Sequence, residues 1–166
     1  MADDPRAAQT RSDLLAAFRR LVHARPYDEI RVSEIADRAG VGRSTFYEHF
    51  RGKDELLRSS VRAVLGPLAG SLAPPGDAAG VAWFLDHVSE NRSNTLAMLR
   101  GSASRIAADV LCDELTERGA SGVGARYASE GVVGVLLEWL ARPGSDGSGP
   151  VALALIRLSA SAFSPG

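Results

Sequence analysis

What the sequence lacks excludes several classes of protein before any motif is considered. Its single cysteine, Cys112, permits no intramolecular disulfide and no zinc site built from thiolates. It has no apolar run of about 18 residues, and the N-terminal stretch around Asp3 and Asp4 is not of the signal-peptide type. We therefore expect a cytoplasmic protein without a membrane segment, in which Cys112 is a small, buried apolar residue.

The sequence signatures of enzymes are also missing. The histidines, His23, His49 and His87, are far apart and form no His-x-x-x-His pair, and no phosphate-binding G-x-x-x-x-G-K-S/T loop occurs. We expect no enzyme activity, no metal site and no cofactor. A helical enzyme is the alternative, and detected catalysis would favour it.

The charge is distributed unevenly along a chain of ordinary globular composition, 45% hydrophobic and 23% charged. Residues 1–65 carry twelve Lys or Arg and ten Asp or Glu, a balance of +2, whereas residues 66–166 carry seven and ten, a balance of −3. This bias fits an N-terminal half that faces phosphate groups, although many solvated helices have a similar balance.

Helical periodicity dominates the chain. Apolar residues recur at helical spacing from Leu14 to Val22, and this pattern ends before Pro26. No strand-like alternation competes, so the sequence predicts an all-α protein with an N-terminal three-helix unit, residues 1–55, and a C-terminal helical bundle, residues 56–166. Further helices are predicted at approximately 33–39, 43–50, from 53 to a kink or end at 66–67, 81–90, 93–100, 102–117, 122–141 and 151–163, with the clearest loops at 73–80 and 142–150.

Two short helices joined at Gly40 predict a helix-turn-helix over residues 33–50. Small Ala36 and Ala39 allow the helices to approach closely, and Gly40 permits the left-handed conformation that ends the first helix. In the second helix, Phe46 and Phe50 lie four residues apart and anchor it to the core. The side chains between them are rich in hydrogen-bonding groups, which is typical of a helix that reads DNA.

The segment 32–56 resembles the DNA-binding signature of TetR/AcrR-type bacterial regulators. The resemblance covers approximately residues 10–60 and rests on Ala-Gly-Val at 39–41, Thr-Phe-Tyr-x-His-Phe at 45–50 and Lys-x-Glu-Leu at 53–56. It implies that Ser33 and Arg43 lie near base edges, that Thr45, Tyr47 and His49 hold phosphates or adjacent bases, and that Lys53, at a helix start, binds a phosphate. The full set of candidate DNA-binding residues is Arg31, Ser33, Arg43, Ser44, Thr45, Tyr47, Glu48, His49 and Lys53.

Two residues depart from the pattern of that family. Arg31 stands where a helix-capping Thr is usual, and an arginine side chain cannot accept a hydrogen bond from exposed amides, so we expect it to bind phosphate instead. Glu48 stands where a basic or aromatic residue is commoner, and its carboxylate either accepts from cytosine or repels phosphate. Glu48 therefore favours an alternative: a degenerate or nonspecific DNA binder, or a protein-interaction module with the same fold.

The C-terminal half contains two segments, 132–140 and 151–158, that are apolar on nearly every helical face. Because a monomer of this size has few residues to cover both, we expect a homodimer with a four-helix interface, which the resemblance also implies. A monomeric core is the alternative. A two-fold dimer predicts an inverted-repeat operator in double-stranded DNA. The candidate interface residues are Val132, Val133, Val135, Leu136, Trp139, Leu140, Leu153 and Ile156.

The resemblance also places an inducer pocket among the middle helices, although the aromatic and apolar residues there fit an ordinary core equally well. The candidate pocket residues are Trp83, Phe84, His87, Met98, Leu99 and Tyr127. The function expected from the sequence is thus that of a homodimeric transcriptional repressor released by a small hydrophobic inducer.

Overall fold

The computed structural model describes residues 5–142, 144 and 147–163. Over these residues the chain forms nine α-helices and no strand, which confirms the predicted all-α class. The helices are α1 Pro5–Ala24, α2 Val32–Ala39, α3 Arg43–His49, α4 Lys53–Leu72, α5 Ala78–Glu90, α6 Arg92–Met98, α7 Ser102–Glu117, α8 Gly122–Ala141 and α9 Ser148–Ala160, with 3-10 turns at Tyr27–Glu29 and Ser161–Phe163.

Helices α1, α2 and α3 form the N-terminal unit around a shared apolar core. The buried stripe of α1, which includes Leu14 and Phe18, packs with Ile35 of α2 and with Phe46 and Phe50 at α3. This arrangement follows from the periodicity of the sequence, because each helix has one apolar face to bury.

Helix α4 connects the N-terminal unit to the C-terminal half. Of the two outcomes predicted for residues 66–67, a kink or an end, the end does not occur, because the helix continues through Pro67 to Leu72. The turns after the proline are held by packing, since Leu68, Ala69 and Leu72 are buried. The stabilisation from that burial offsets the missing backbone hydrogen bond of Pro67.

In the C-terminal half, α7 packs between α4 and α8, while α9 packs against α5 and α8. Glycines allow the close approach of α8 to the end of the chain: a Cβ at Gly131 would lie 2.7 Å from Cδ2 of Leu158, and one at Gly124 would lie 2.7 Å from Cα of Ala162. Cys112 is buried in this core, as predicted.

The helix ends differ from the prediction mainly at the connectors. Helix α5 begins at Ala78, so the loop predicted at 73–80 is shorter, and α9 begins at Ser148 rather than near 151. Part of the loop predicted at 142–150, namely residues 143, 145 and 146, lies outside the described residues. Within the described part of the chain, no helix is long and apolar enough to span a membrane, and no cluster of His, Cys, Asp or Glu is suited to a metal ion.

Candidate DNA-binding surface

The turn between α2 and α3 has the geometry of a helix-turn-helix. Gly40 has a φ of 72°, and its N–H donates to the carbonyl oxygen of Asp37 at 3.1 Å. The N–H of Val41 donates to the carbonyl oxygen of Ala36 at 3.0 Å. These bonds satisfy two of the carbonyls in the last turn of α2, and glycine adopts the left-handed conformation without steric cost.

Helix α3 has a buried face and an exposed face, as its sequence predicts. Phe46 and Phe50 are buried with their ring centroids 6.0 Å apart. The half-buried Thr45 and His49 border this anchor. The exposed side chains are Arg43, Ser44, Tyr47 and Glu48, and Tyr47 is 50% exposed although it is a large aromatic residue. Exposed side chains of these types can form hydrogen bonds with the edges of bases and with the neighbouring phosphates.

Arg11 of α1 fixes the end of α3, a contact that the sequence analysis missed. Its Nη1 donates to the carbonyl oxygen of His49 at 3.1 Å, and its Nη2 donates to Oγ of Ser59 at 3.1 Å. Its guanidinium also lies 4.2 Å from the ring centroid of Phe50, a cation–π contact. One signal in the sequence could have revealed this role, since Arg11 precedes Leu14 and Phe18 at helical spacing on the buried stripe.

The start of α2 is capped by Glu34 instead of by the side chain of Arg31. The carboxylate of Glu34 accepts from the N–H of Arg31 at 2.8 Å and pairs with Arg25 at 2.5 Å. These two interactions, the bond from Arg25 foremost, lower the pKa of Glu34. Arg31 is exposed, and Ser33 is half-buried in the first turn of α2.

Lys53, at the start of α4, makes contacts within the protein that the sequence did not predict. Its Nζ donates to the carbonyl oxygens of Tyr27 at 3.1 Å and Asp28 at 3.2 Å, and it lies 4.4 Å from the ring centroid of Tyr27. The hydroxyl of Tyr27 donates in turn to Asp54, and burial, followed by this bond, raises the pKa of Tyr27. Because an ammonium group has three N–H donors, one remains for a phosphate.

Asp28 joins the N-terminal unit to the C-terminal half. Its carboxylate accepts from the hydroxyl and from the N–H of Ser102, the latter at 3.3 Å, and thereby caps the first turn of α7. These bonds lower the pKa of Asp28, the hydroxyl bond contributing most. The contact requires glycine at position 101, where φ is 65° and a Cβ would lie 2.1 Å from Oδ2 of Asp28.

A cavity of about 380 Å³ lies among α1, α4, α5, α6 and α8. Of the six predicted pocket residues, Phe84, His87, Met98 and Leu99 line it. Trp83 and Tyr127 do not, being 66% and 63% exposed. The ring of Trp83 stacks on His87 with a centroid distance of 5.5 Å.

The residues predicted for a dimer interface divide into three groups. Val135 and Leu153 are 39% and 48% exposed, on α8 and α9 respectively. Trp139 and Ile156 are half-buried. The remaining four, whose side chains are buried in the chain's own core, are Val132, Val133, Leu136 and Leu140.

The N-terminal part of the chain matches a known family of proteins. Residues 14–59 match the family model described as bacterial regulatory proteins, tetR family. A TetR-family regulator from Streptomyces coelicolor A3 has the same fold over the whole chain, with 20% identity, a TM-score of 0.67, and coverage of 99% of this chain and 100% of that one. Over residues 14–59 the chain carries the DNA-binding domain of the tetR family, and as a whole it has the fold of TetR-family regulators. The predicted resemblance is thereby confirmed, and the exposed face of α3 belongs to the helix-turn-helix of a DNA-binding transcription regulator.

Two further solved structures show the same TetR fold. SmeT, the repressor of the SmeDEF multidrug efflux pump of Stenotrophomonas maltophilia, is 23% identical, with a TM-score of 0.56 and coverage of 93% of this chain and 91% of that one. RolR, solved in complex with resorcinol, is 21% identical, with a TM-score of 0.53 and coverage of 95% and 93%. A comparison with curated protein sequences found no match.

Proposed function

We propose that this TetR-family protein is a homodimeric repressor that binds an inverted-repeat DNA operator and is released by a small, largely apolar inducer. The observation that carries the proposal is the division of α3 between two buried phenylalanines and an exposed row of polar side chains. A helix that served only for packing would have no need to expose Arg43, Tyr47 and neighbouring hydrogen-bonding groups together.

In this proposal the exposed residues have distinct roles. Arg43 donates two parallel hydrogen bonds to a guanine, and Ser33 and Ser44 lie close to base edges. Tyr47, Thr45 and His49 contact phosphates or adjacent bases and so fix the register of the helix. Arg31 and the remaining N–H of Lys53 bind phosphates on either side of the helix-turn-helix.

The proposed dimer places α8 and α9 of two copies against each other. Val135 and Leu153 supply exposed apolar surface on these helices, and exposed Val123 and Tyr127 extend it along α8. Burying such surface is favourable by about 25 cal/mol per Å². A two-fold axis through this interface would present two α3 helices to successive major grooves.

The proposed inducer binds the cavity between the two halves of the protein. A volume of about 380 Å³ falls in the range of small-molecule sites, and RolR, which shares the fold, was solved with resorcinol. Such a ligand would act by binding more tightly to a state with the wrong spacing between the two α3 helices, and α4 would transmit the change.

Selection of bound fragments from a random pool of double-stranded DNA tests the operator. We expect enrichment of an inverted repeat by the purified protein, and enrichment of no sequence would overturn the proposal. Sedimentation at micromolar concentration tests the dimer, and a monomer there would exclude it. Tyr47→Ala is expected to weaken binding to all sequences and to make its salt dependence shallower, because it removes a phosphate contact.

A second candidate function is supported by Glu48, which is exposed among the residues proposed to read DNA. A carboxylate there disfavours nearby phosphates, as expected of a degenerate or nonspecific binder or of a protein-interaction module. Replacing Glu48 with Gln separates the two candidates. For a sequence-specific reader that uses Glu48 to accept from cytosine, E48Q changes the preferred sequence; for a degenerate binder it strengthens binding to every sequence alike.

A further inference from the structure

The cavity between the two halves has only basic and neutral polar groups among its described lining residues. Arg19 and His23, which lie four residues apart on one face of α1, line it together with His87 of α5. No Asp or Glu lines it, and the rest of the wall is mainly apolar. The wall therefore offers hydrogen-bond donors and positive charge but no negative charge.

Two polar groups at this wall have capacity for a ligand. Nε of Arg19 donates to the carbonyl oxygen of Leu15 at 3.3 Å, and the two Nη groups make no ion pair within the described chain. Oγ of Ser60, on α4, is buried and has no hydrogen-bond partner there. A buried hydroxyl without a partner is costly, so a ligand that bonds it would be favoured.

From this combination we infer that the cavity binds an amphipathic carboxylic acid, whose apolar body packs against α4, α5 and α6 and whose carboxylate pairs with Arg19. The inference rests on the proposed function, because the cavity is the one assigned to the inducer. It adds the chemical class of the ligand and the element that holds its charge. Since Arg19 and His23 belong to α1, the acid contacts the DNA-binding unit directly, and ligand binding is coupled to the position of that unit.

Calorimetric titration of the full-length protein with matched probes tests this inference. The probes are octanoate with 1-octanol, and 4-phenylbutyrate with 4-phenyl-1-butanol, so that each pair differs mainly in charge. In at least one pair we expect the acid to bind about tenfold more tightly than the alcohol, because a charge-assisted hydrogen bond is added. The ratio of the two affinities should decrease at high ionic strength, because Arg19 is exposed and salt screens its charge.

Variants locate the charge and the cavity. Arg19→Gln should remove the preference for the acid without lowering the affinity for the alcohol. Arg19→Lys, which keeps the positive charge, should retain part of that preference. Arg20→Gln is the matched control, because Arg20 is the adjacent exposed arginine and does not line the cavity. Ser60→Leu fills the cavity and should weaken both members of a pair, with the melting temperature showing that the variant still folds.

The inference is overturned if the alcohol binds as tightly as the acid in both pairs, if no probe binds, or if R19Q keeps the preference. These outcomes differ from failure of the proposed function. If an acid binds in an Arg19-dependent manner but does not release the selected DNA, only the role of the cavity as an inducer site is contradicted, and the assignment to acids stands. A neutral compound that binds the cavity and releases DNA would support that role and overturn the assignment to acids.

Discussion

The N-terminal unit and the C-terminal half differ in how their polar contacts are arranged. In the N-terminal unit, single side chains fix backbone ends: Glu34 caps α2, and Arg11 holds the end of α3. Between α4 and α7, in contrast, charges pair laterally along two helices, as in Arg58 with Asp109 at 3.1 Å and Arg62 with Glu114 at 3.5 Å. Contacts to the backbone fix the orientation of short helices, whereas lateral pairs join long helices that packing already orients.

The same difference accounts for the match of residues 14–59 to a family model. Orienting α3 depends on particular residues at particular spacings, such as Gly40 and the pair Phe46 and Phe50. A helical bundle is less demanding, because many apolar residues of suitable size fill its core equally well. Residues 14–59 therefore retain a family signature, while the rest of the chain shares only its fold with the solved structures.

The largest expected effect concerns the anchor of α3. Phe46→Ala should lower the free energy of unfolding by about 3–5 kcal/mol, because the side chain is fully buried and its removal leaves a cavity. Urea denaturation measures this change. The adjacent variant Tyr47→Ala is the control: Tyr47 is half exposed and contacts Phe46 edge to face, so its loss should cost no more than about 1.5 kcal/mol of stability and still weaken DNA binding. Equal losses of stability in both variants would contradict the division of α3 into two faces.

The contact between the two halves is expected to give the next effect. Gly101→Ala adds a Cβ at a positive φ, close to the carboxylate of Asp28, and should destabilise the protein by about 1–3 kcal/mol. Gly119→Ala also places a Cβ at a positive φ, 97°, but nothing lies within 4 Å of that Cβ. Gly101→Ala in an Asp28→Ala background, which lacks the contacted carboxylate, isolates the contact: in thermal denaturation the glycine substitution should cost less stability there, and an equal cost would show that Asp28 moves aside freely in the wild type.

A smaller effect is expected at Arg11. Arg11→Ala removes two hydrogen bonds and the cation–π contact with Phe50, and should cost about 1–2 kcal/mol of stability. Arg11→Lys, which keeps the positive charge, should lose less stability than Arg11→Ala. Arg20→Ala, at an exposed position of the same helix, should change the stability little. If R11A loses stability but binds DNA normally, the end of α3 does not depend on this residue for its position.

The smallest effect is a dependence on pH. Because hydrogen bonds from Ser102 lower the pKa of Asp28 in the folded protein, its stabilisation is fully present above the ordinary carboxyl pKa of about 4. It is lost as the pH falls below that value toward the lowered pKa. Thermal denaturation of wild type and Asp28→Asn should therefore differ most near neutral pH and converge in acid. A difference that grows in acid would contradict the assignment.

The sequence predicts most of the fold and the reading helix because these depend on local patterns. Periodicity places the helices, and the turn at Gly40 with the phenylalanine spacing identifies α3. The sequence does not show that α4 continues beyond Pro67, where packing holds the following turns, or that Lys53 contacts the carbonyls of Tyr27 and Asp28, which lie 25 or more positions away. Contacts between residues so far apart in the sequence produce no periodic pattern from which they could be predicted.

By itself, the sequence determined that this protein is all-α, that residues 14–59 are of the TetR type, and that α3 has one buried and one exposed face. Only the tertiary structure decided that Arg11 holds α3, that Asp28 caps α7, and that α1 contributes to the cavity. The physical reason is one of range. Helix formation and amphipathicity are set by residues within about two turns of one another, whereas caps across elements, buried faces and cavities depend on how complete helices pack.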